Sequence, residues 1–152
     1  MISEAVWPDE RDLVAALMRE YVDALAEDIS FQDVAGELAG LPGAYARPRG
    51  VVLLARCDGE AAGLAAMRPI NADTCEMKRL YVRPNFRGRD LGRLLAEALI
   101  AEARACGYRT MLLDTLASMQ AARALYRSLG FRPTAPYYAN PLPGVTYMAL
   151  DL

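Results

Sequence analysis

The stretch from Thr74 to Asp114 leaves this chain little choice of fold. It opens with a strand pattern, Thr74 to Val82, closed by Arg83-Pro84. Residues Asp90 to Cys106 then set Leu91, Leu94, Leu95, Ala98, Leu99 and Ala103 on one helical stripe, and Gly107 stops the helix. Thr110 to Asp114 follows as a short, continuous apolar strand. A strand–helix–strand unit of this kind predicts two parallel strands in one sheet, and therefore an α/β domain.

The flanking segments supply the rest of the domain. Leu13, Leu17, Tyr21 and Leu25 recur every fourth position between Asp9 and Asp28, which predicts an amphipathic helix entered at Pro8-Asp9. A second, short helix is expected over Phe31 to Leu38, ended by the Gly40 to Gly43 turn. Val51 to Arg56, the Asp58-Gly59 turn and Ala62 to Ile70 read as a hairpin. After Asp114, a helix over Ser118 to Leu129 stops at Gly130 and leads to strands near Phe131 to Tyr138 and Val145 to Leu150. The chain has 152 residues and no repeats or long linkers, so one domain over residues 1–152 is expected.

Composition removes several function classes. The chain has no histidine, which eliminates Ser-His-Asp and Cys-His catalysis and every histidine-containing zinc site. Acid–base chemistry must come from Glu, Asp, Tyr, Cys, Lys or water. Cys57, Cys75 and Cys106 are too widely spaced for a metal knuckle and odd in number, so they are expected as reduced, mainly buried thiols, and no metal is expected. A formal charge of −2 with interspersed arginines gives no field for a phosphate polymer, so nucleic acid is not an expected partner. Although 54 % of residues are hydrophobic, no apolar run reaches the ~18 residues of a membrane span. Met1 to Val6 lacks the basic and apolar regions of a signal peptide, and the expectation is a cytoplasmic protein.

The segment Val82-Arg83-Pro84-Asn85-Phe86-Arg87-Gly88-Arg89-Asp90-Leu91-Gly92-Arg93 joins a strand to the best helix. Glycines allow close backbone approach, and free N–H groups at a helix start favour phosphate. No Lys-Ser/Thr pair follows, which excludes a nucleoside-triphosphate P-loop. In this loop the chain resembles the GCN5-related N-acetyltransferase (GNAT) superfamily, whose signature is Arg/Gln-x-x-Gly-x-Gly/Ala. Arg87, Gly88, Arg89, Leu91 and Gly92 fit the common form, whereas Asp90 stands where the central glycine is expected. Two further segments carry the resemblance: Cys75 to Pro84 looks like the family's fourth strand, and Ala122-Arg123-Ala124-Leu125-Tyr126-Arg127-Ser128-Leu129-Gly130-Phe131 matches its Ala-x-x-x-Tyr-x-x-x-Gly-Phe helix.

The resemblance implies a GNAT-type α/β fold, a mixed, mostly antiparallel sheet of six or seven strands with about four helices, splayed near Tyr81. It implies acetyl-CoA as acyl donor, with the pyrophosphate on Arg87, Gly88, Arg89, Asp90, Leu91 and Gly92 and the pantetheine arm along the backbone of Leu80, Tyr81 and Val82. Asp90 can serve as helix N-cap in a left-handed conformation, but a carboxylate aimed at pyrophosphate would weaken binding. Tyr126 is implied as proton donor to the departing thiolate, against the alternative of a tyrosine packed on the sheet. Glu76 is the general base of some members, against an ion pair with Lys78 or Arg79 or a water chain in its place. Met119 replaces an asparagine that contacts CoA in many relatives, leaving Ser118 or Gln120 to substitute.

The acceptor is implied to be an amine of a small molecule or peptide. Tyr137, Tyr138 and Asn140, in a proline-bounded loop, either line its pocket or shape a turn or a homodimer contact, dimers being common in the family. Asp114 and Thr115 end a parallel strand, where open sheets bind ligands. A non-catalytic acyl-CoA-sensing module remains the alternative function, motivated by Asp90 and Met119.

Overall fold

The computed structural model describes residues 1–152 and contains a seven-stranded sheet. The strands are β1 (Ile2–Glu4), β2 (Val51–Cys57), β3 (Glu60–Pro69), β4 (Thr74–Val82), β5 (Thr110–Thr115), β6 (Arg132–Pro133) and β7 (Thr146–Asp151). Their order across the sheet is β1-β2-β3-β4-β5-β7-β6, and only the β4–β5 pair is parallel. The four helices are α1 (Arg11–Ala24), α2 (Val34–Ala39), α3 (Leu91–Ala105) and α4 (Gln120–Ser128).

Each face of the sheet has its own core. In α1, Val14, Leu17 and Met18 are fully buried at helical spacing and pack with Val52, Leu54, Leu64 and Ala66, alternate residues of β2 and β3. On the other face, Leu95, Leu99 and Ala103 of α3 meet Val51, Leu53, Cys75, Met77 and Met111. Burying one such leucine is worth about 1.5–3 kcal/mol. The short α2 starts at Asp33, whose side chain accepts a hydrogen bond from the Gly36 N–H at 3.3 Å.

Two elements depart from the sequence expectation. The strand expected over Phe131 to Tyr138 shrinks to Arg132–Pro133, because Pro133 and Pro136 lack the N–H that a ladder needs, and the strand survives only at the sheet edge. β1, three residues at the opposite edge, carries too little pattern to be read from the chain.

Candidate active site

β4 and β5 pair only from Thr74–Glu76 to Thr110–Leu112. Beyond that β5 keeps its register with β7 as far as Thr115↔Thr146, and β4 stays on β3 as far as Val82↔Gly63. The two parallel strands therefore part after Glu76. A bulge bends β4 at the opening: Lys78 faces Ala66 and Tyr81 faces Leu64, so Arg79 and Leu80 share the single residue between. Arg79 adopts φ 62°, and its guanidinium is anchored on the α2 side. Nε and Nη2 donate to the two oxygens of Glu37, each at 3.0 Å, and Nη1 donates to Gln32 Oε1 at 2.9 Å. Only glycine permits the adjacent close approach of β3, because a Cβ on Gly63 would lie 2.3 Å from the Tyr81 carbonyl oxygen.

The parted strands leave a narrow cleft of about 50 Å³ lined by Tyr21, Leu80, Asp114, Leu116, Met119 and Tyr126. Tyr126 is buried against Phe131, with ring centroids 5.7 Å apart. Burial, with smaller contributions from Tyr21 and Asp114, pushes its phenol well above the usual value, so it stays protonated and able to donate. Met119 lines the cleft as an apolar residue. Ser118 and Gln120 do not replace the missing amide: Ser118 donates to Glu27 Oε1 at 2.5 Å, and Gln120 donates to the Ala117 carbonyl at 2.9 Å.

At the far end of β4, a depression of about 350 Å³ is lined by Val82, Phe86, Gly88, Asp90 and Gly92. Every backbone N–H from Gly88 to Arg93 lacks an acceptor within the protein. Gly88 has φ +83°, a conformation open to glycine without strain. Asp90 takes the expected left-handed N-cap conformation at φ 63°, but its side chain makes no capping bond. Its carboxylate is instead 71 % exposed and 3.8 Å from Arg93, which lessens the expected repulsion toward an anion. Arg87 donates to the Val82 carbonyl at 3.2 Å, and Arg89 sits 5.5 Å over the Phe86 ring. Free amides at a helix start among three arginines fit a pyrophosphate.

The third feature is a pocket of about 530 Å³ whose walls include Phe31, Arg68, Ile70, Glu76, Lys78 and Tyr137. Lys78 and Gln32 border both this pocket and the cleft. Glu76 is 1 % exposed, and the ion pair with Lys78 or Arg79, the alternative to a general base, is not formed. Its cross-strand partner Arg68 takes that place, donating from Nε to Oε1 at 2.8 Å, while the Tyr137 hydroxyl donates to Oε2 at 2.5 Å. Burial and the Glu76 charge push the Tyr137 phenol far up, so the proton rests on tyrosine.

Tyr138, Asn140 and Asp114 converge. Asp114 Oδ2 accepts from the Tyr138 hydroxyl and, at 3.2 Å, from Asn140 Nδ2. Tyr137, Tyr138 and Tyr147 stack edge to face, with centroids 5.4–5.7 Å apart, which makes the proline-bounded loop a rigid wall. Thr115 does not join them: it is fully buried, its hydroxyl accepts from Arg123 at 3.0 Å, and it lines neither cleft nor pocket. The sequence reading missed Arg68 and Gln32, and saw Lys78 only as a partner for Glu76. Register across the β3–β4 hairpin was the available signal for Arg68, whereas Gln32 comes from a distant loop that leaves none.

A sequence profile of the Acetyltransferase (GNAT) family matches residues 10–131, most of the chain, including the cleft and the Gly88 to Arg93 loop but not the Tyr137-Tyr138 wall of the pocket. An uncharacterized N-acetyltransferase of Schizosaccharomyces pombe is 43 % identical over 153 residues, covering 99 % of this chain and 94 % of that one. The N-acetylaspartate synthetase of Danio rerio is 32 % identical over 117 residues, 76 % of this chain and 42 % of that protein. A GNAT family acetyltransferase of Elizabethkingia anophelis, solved with acetyl-CoA bound, shares the fold at a TM-score of 0.69 and 18 % identity, covering 100 % of this chain and 97 % of that one. The chain belongs to the acetyltransferase (GNAT) family. Its family is one of acetyltransferases.

Proposed function

We propose that this protein transfers the acetyl group of acetyl-CoA directly to an amine of a small molecule or peptide within a ternary complex. The observation that carries the reading is the parting of β4 and β5 after Glu76, with free amides from Gly88 to Arg93 at one end of the opening and the Glu76–Tyr137 pocket bordering the other. The loop from Arg87 to Gly92 holds the pyrophosphate through backbone N–H groups, and Leu80, Tyr81 and Val82 present strand backbone to the pantetheine arm. The name of the Danio rerio relative, N-acetylaspartate synthetase, supports a small-molecule acceptor.

In the transfer the amine nitrogen bonds to the thioester carbonyl carbon and the carbon–sulfur bond breaks. Tyr126 supplies the proton taken up by the leaving thiolate, and its raised pKa keeps that proton available at neutral pH. Glu76, directly or through water, receives the proton lost by the amine, while Tyr137 and Arg68 hold its two oxygens. Asp114 on the donor cleft and Tyr138 on the acceptor pocket are joined by a hydrogen bond, which Asn140 braces without lining either.

The test is release of CoA thiol from acetyl-CoA across a panel of amines and amino-terminal peptides, with the acetylated product identified by mass. Thiol release that depends on one amine class and is lost in Tyr126→Phe supports the reading. Tight acetyl-CoA binding without transfer to any amine would favour a sensing module instead.

A further inference from the structure

Lys78 is a half-buried lysine whose ammonium has no counter-ion. It makes one long hydrogen bond, to Gln32 Oε1 at 3.4 Å, and that oxygen is already held by Arg79 at 2.9 Å. The nearby carboxylates are committed elsewhere, Glu76 to Arg68 and Glu37 to Arg79, and no carboxylate lies within ion-pairing distance of Lys78. Burial and the neighbouring Arg79 lower its pKa to about 8, in keeping with a charge the protein alone leaves without a partner. A charge drawn partly out of water is stabilised by a partner of opposite sign. Lys78 borders both the cleft and the pocket, where an acceptor must lie.

Two further observations define that acceptor. Arg68 spends only Nε on Glu76, so its Nη groups remain free at the same pocket wall. Of the five exposed large hydrophobic side chains in the protein, two line this pocket, Phe31 at 41 % and Ile70 at 42 % exposure. The pocket thus offers two cations and an apolar, partly aromatic wall, with Glu76 and Tyr137 beside them.

We propose that the acceptor is a primary amine carrying a carboxylate and an apolar body, an apolar α-amino acid or a close analogue, and that Lys78 with the free Nη groups of Arg68 receives the carboxylate. This rests on the acetyl-transfer reading above. The carboxylate supplies the counter-ion that Lys78 lacks, Phe31 and Ile70 cover the apolar body, and the amine of such a molecule is one carbon from its carboxylate, close enough to reach the cleft that Lys78 borders.

The experiment compares L-phenylalanine and L-leucine with 2-phenylethylamine and 3-methylbutylamine, the same molecules without the carboxylate, as acceptors in acetyl-CoA turnover. The wild-type protein should acetylate the amino acids with kcat/KM about thirtyfold or more above their decarboxylated partners, the scale expected for a desolvated charge pair. Lys78→Met should raise KM for L-phenylalanine and narrow that ratio. Equal or faster turnover of the decarboxylated amines overturns the proposal, as does acetylation only of amines outside the apolar amino acids. Acetyl-CoA binding is measured alongside by calorimetry. Binding without turnover of any of these acceptors overturns the acceptor assignment alone, whereas no binding overturns the transfer reading and this inference with it.

Discussion

Glu76 and Tyr137 lie 61 residues apart in sequence and meet in a 2.5 Å hydrogen bond at the edge of the pocket proposed for the acceptor. The bond joins the strand just before it parts from its neighbour to the loop that closes the pocket. A buried carboxylate held this way keeps its orientation, with Arg68 on one oxygen and Tyr137 on the other. Tyr137→Phe should leave Oε2 of Glu76 without its donor, costing about 1–3 kcal/mol. Thermal unfolding should register a drop of roughly 2–4 °C per kcal/mol. Glu76→Gln should lower kcat by about 10²–10⁴ while leaving acetyl-CoA affinity in place, which steady-state kinetics and calorimetry together measure.

Tyr126→Phe removes one oxygen from a buried ring that packs on Phe131. Its expected effect is on kcat, about a hundredfold or more, with acetyl-CoA affinity nearly unchanged. Equal losses in affinity and kcat would instead mark Tyr126 as a packing residue.

The bulge that opens the cleft depends on Arg79 and Glu37, an ion pair with side chains only 3 % and 14 % exposed. Burial alone would raise the Glu37 carboxyl, but the bonds and charge of Arg79 more than reverse this and hold it below its ordinary 4.5. A carboxyl lowered in the folded state contributes stability that is present above its unfolded value and is lost as pH falls through the folded one. Glu37→Gln should therefore destabilise by about 3–5 kcal/mol near neutrality. In melting curves taken from pH 7 downward, the gap to wild type should close below pH 4.5.

Lys78 gives the opposite pH signature. Its folded pKa of about 8 lies below the ordinary 10.5, so the folded state sheds a proton first and stability rises with pH between those values. The charges acting on it are Arg79, Glu76, Arg68 and Glu37. Lys78→Met should melt several degrees higher than wild type at pH 7, with the advantage shrinking toward pH 10, at roughly 2–4 °C per kcal/mol. A variant more stable yet poorer with its acceptor is the expected behaviour of a charge kept for binding.

Asp90 is the one departure within the anion loop. At φ 63° it occupies a conformation that glycine adopts freely, and its carboxylate adds a negative charge to the loop that carries the free amides of Gly88 to Arg93. Asp90→Gly should relieve both and tighten acetyl-CoA binding roughly two- to tenfold, read as Kd by calorimetry.

The sequence carried the strand–helix–strand unit because Leu95, Leu99 and Ala103 are spaced for a buried helix face and Gly107 ends it. The strand-to-helix loop with its free amides and the place of Tyr126 on α4 were legible for the same reason: local spacing and φ requirements are written in neighbouring residues. Arg68, Gln32 and the Arg79 bulge were not, because strand register and contacts with a distant loop depend on how the whole sheet assembles. Thr115 looked like a ligand-facing residue from its place at a strand end, yet its hydroxyl is taken by Arg123 from α4. Tyr137 was read as either pocket wall or turn, and its bond to Glu76 makes it part of the pocket.

The most direct test of the account is thermal unfolding of the protein with and without acetyl-CoA, using ADP as control. At a hundred times Kd, acetyl-CoA should stabilise the fold by about 2.7 kcal/mol, a rise of roughly 5–10 °C for a chain of this size, well beyond the effect of ADP. No shift at millimolar acetyl-CoA, or the same shift with ADP, would contradict the assignment of the parted strands and the Gly88 to Arg93 amides as an acetyl-CoA site.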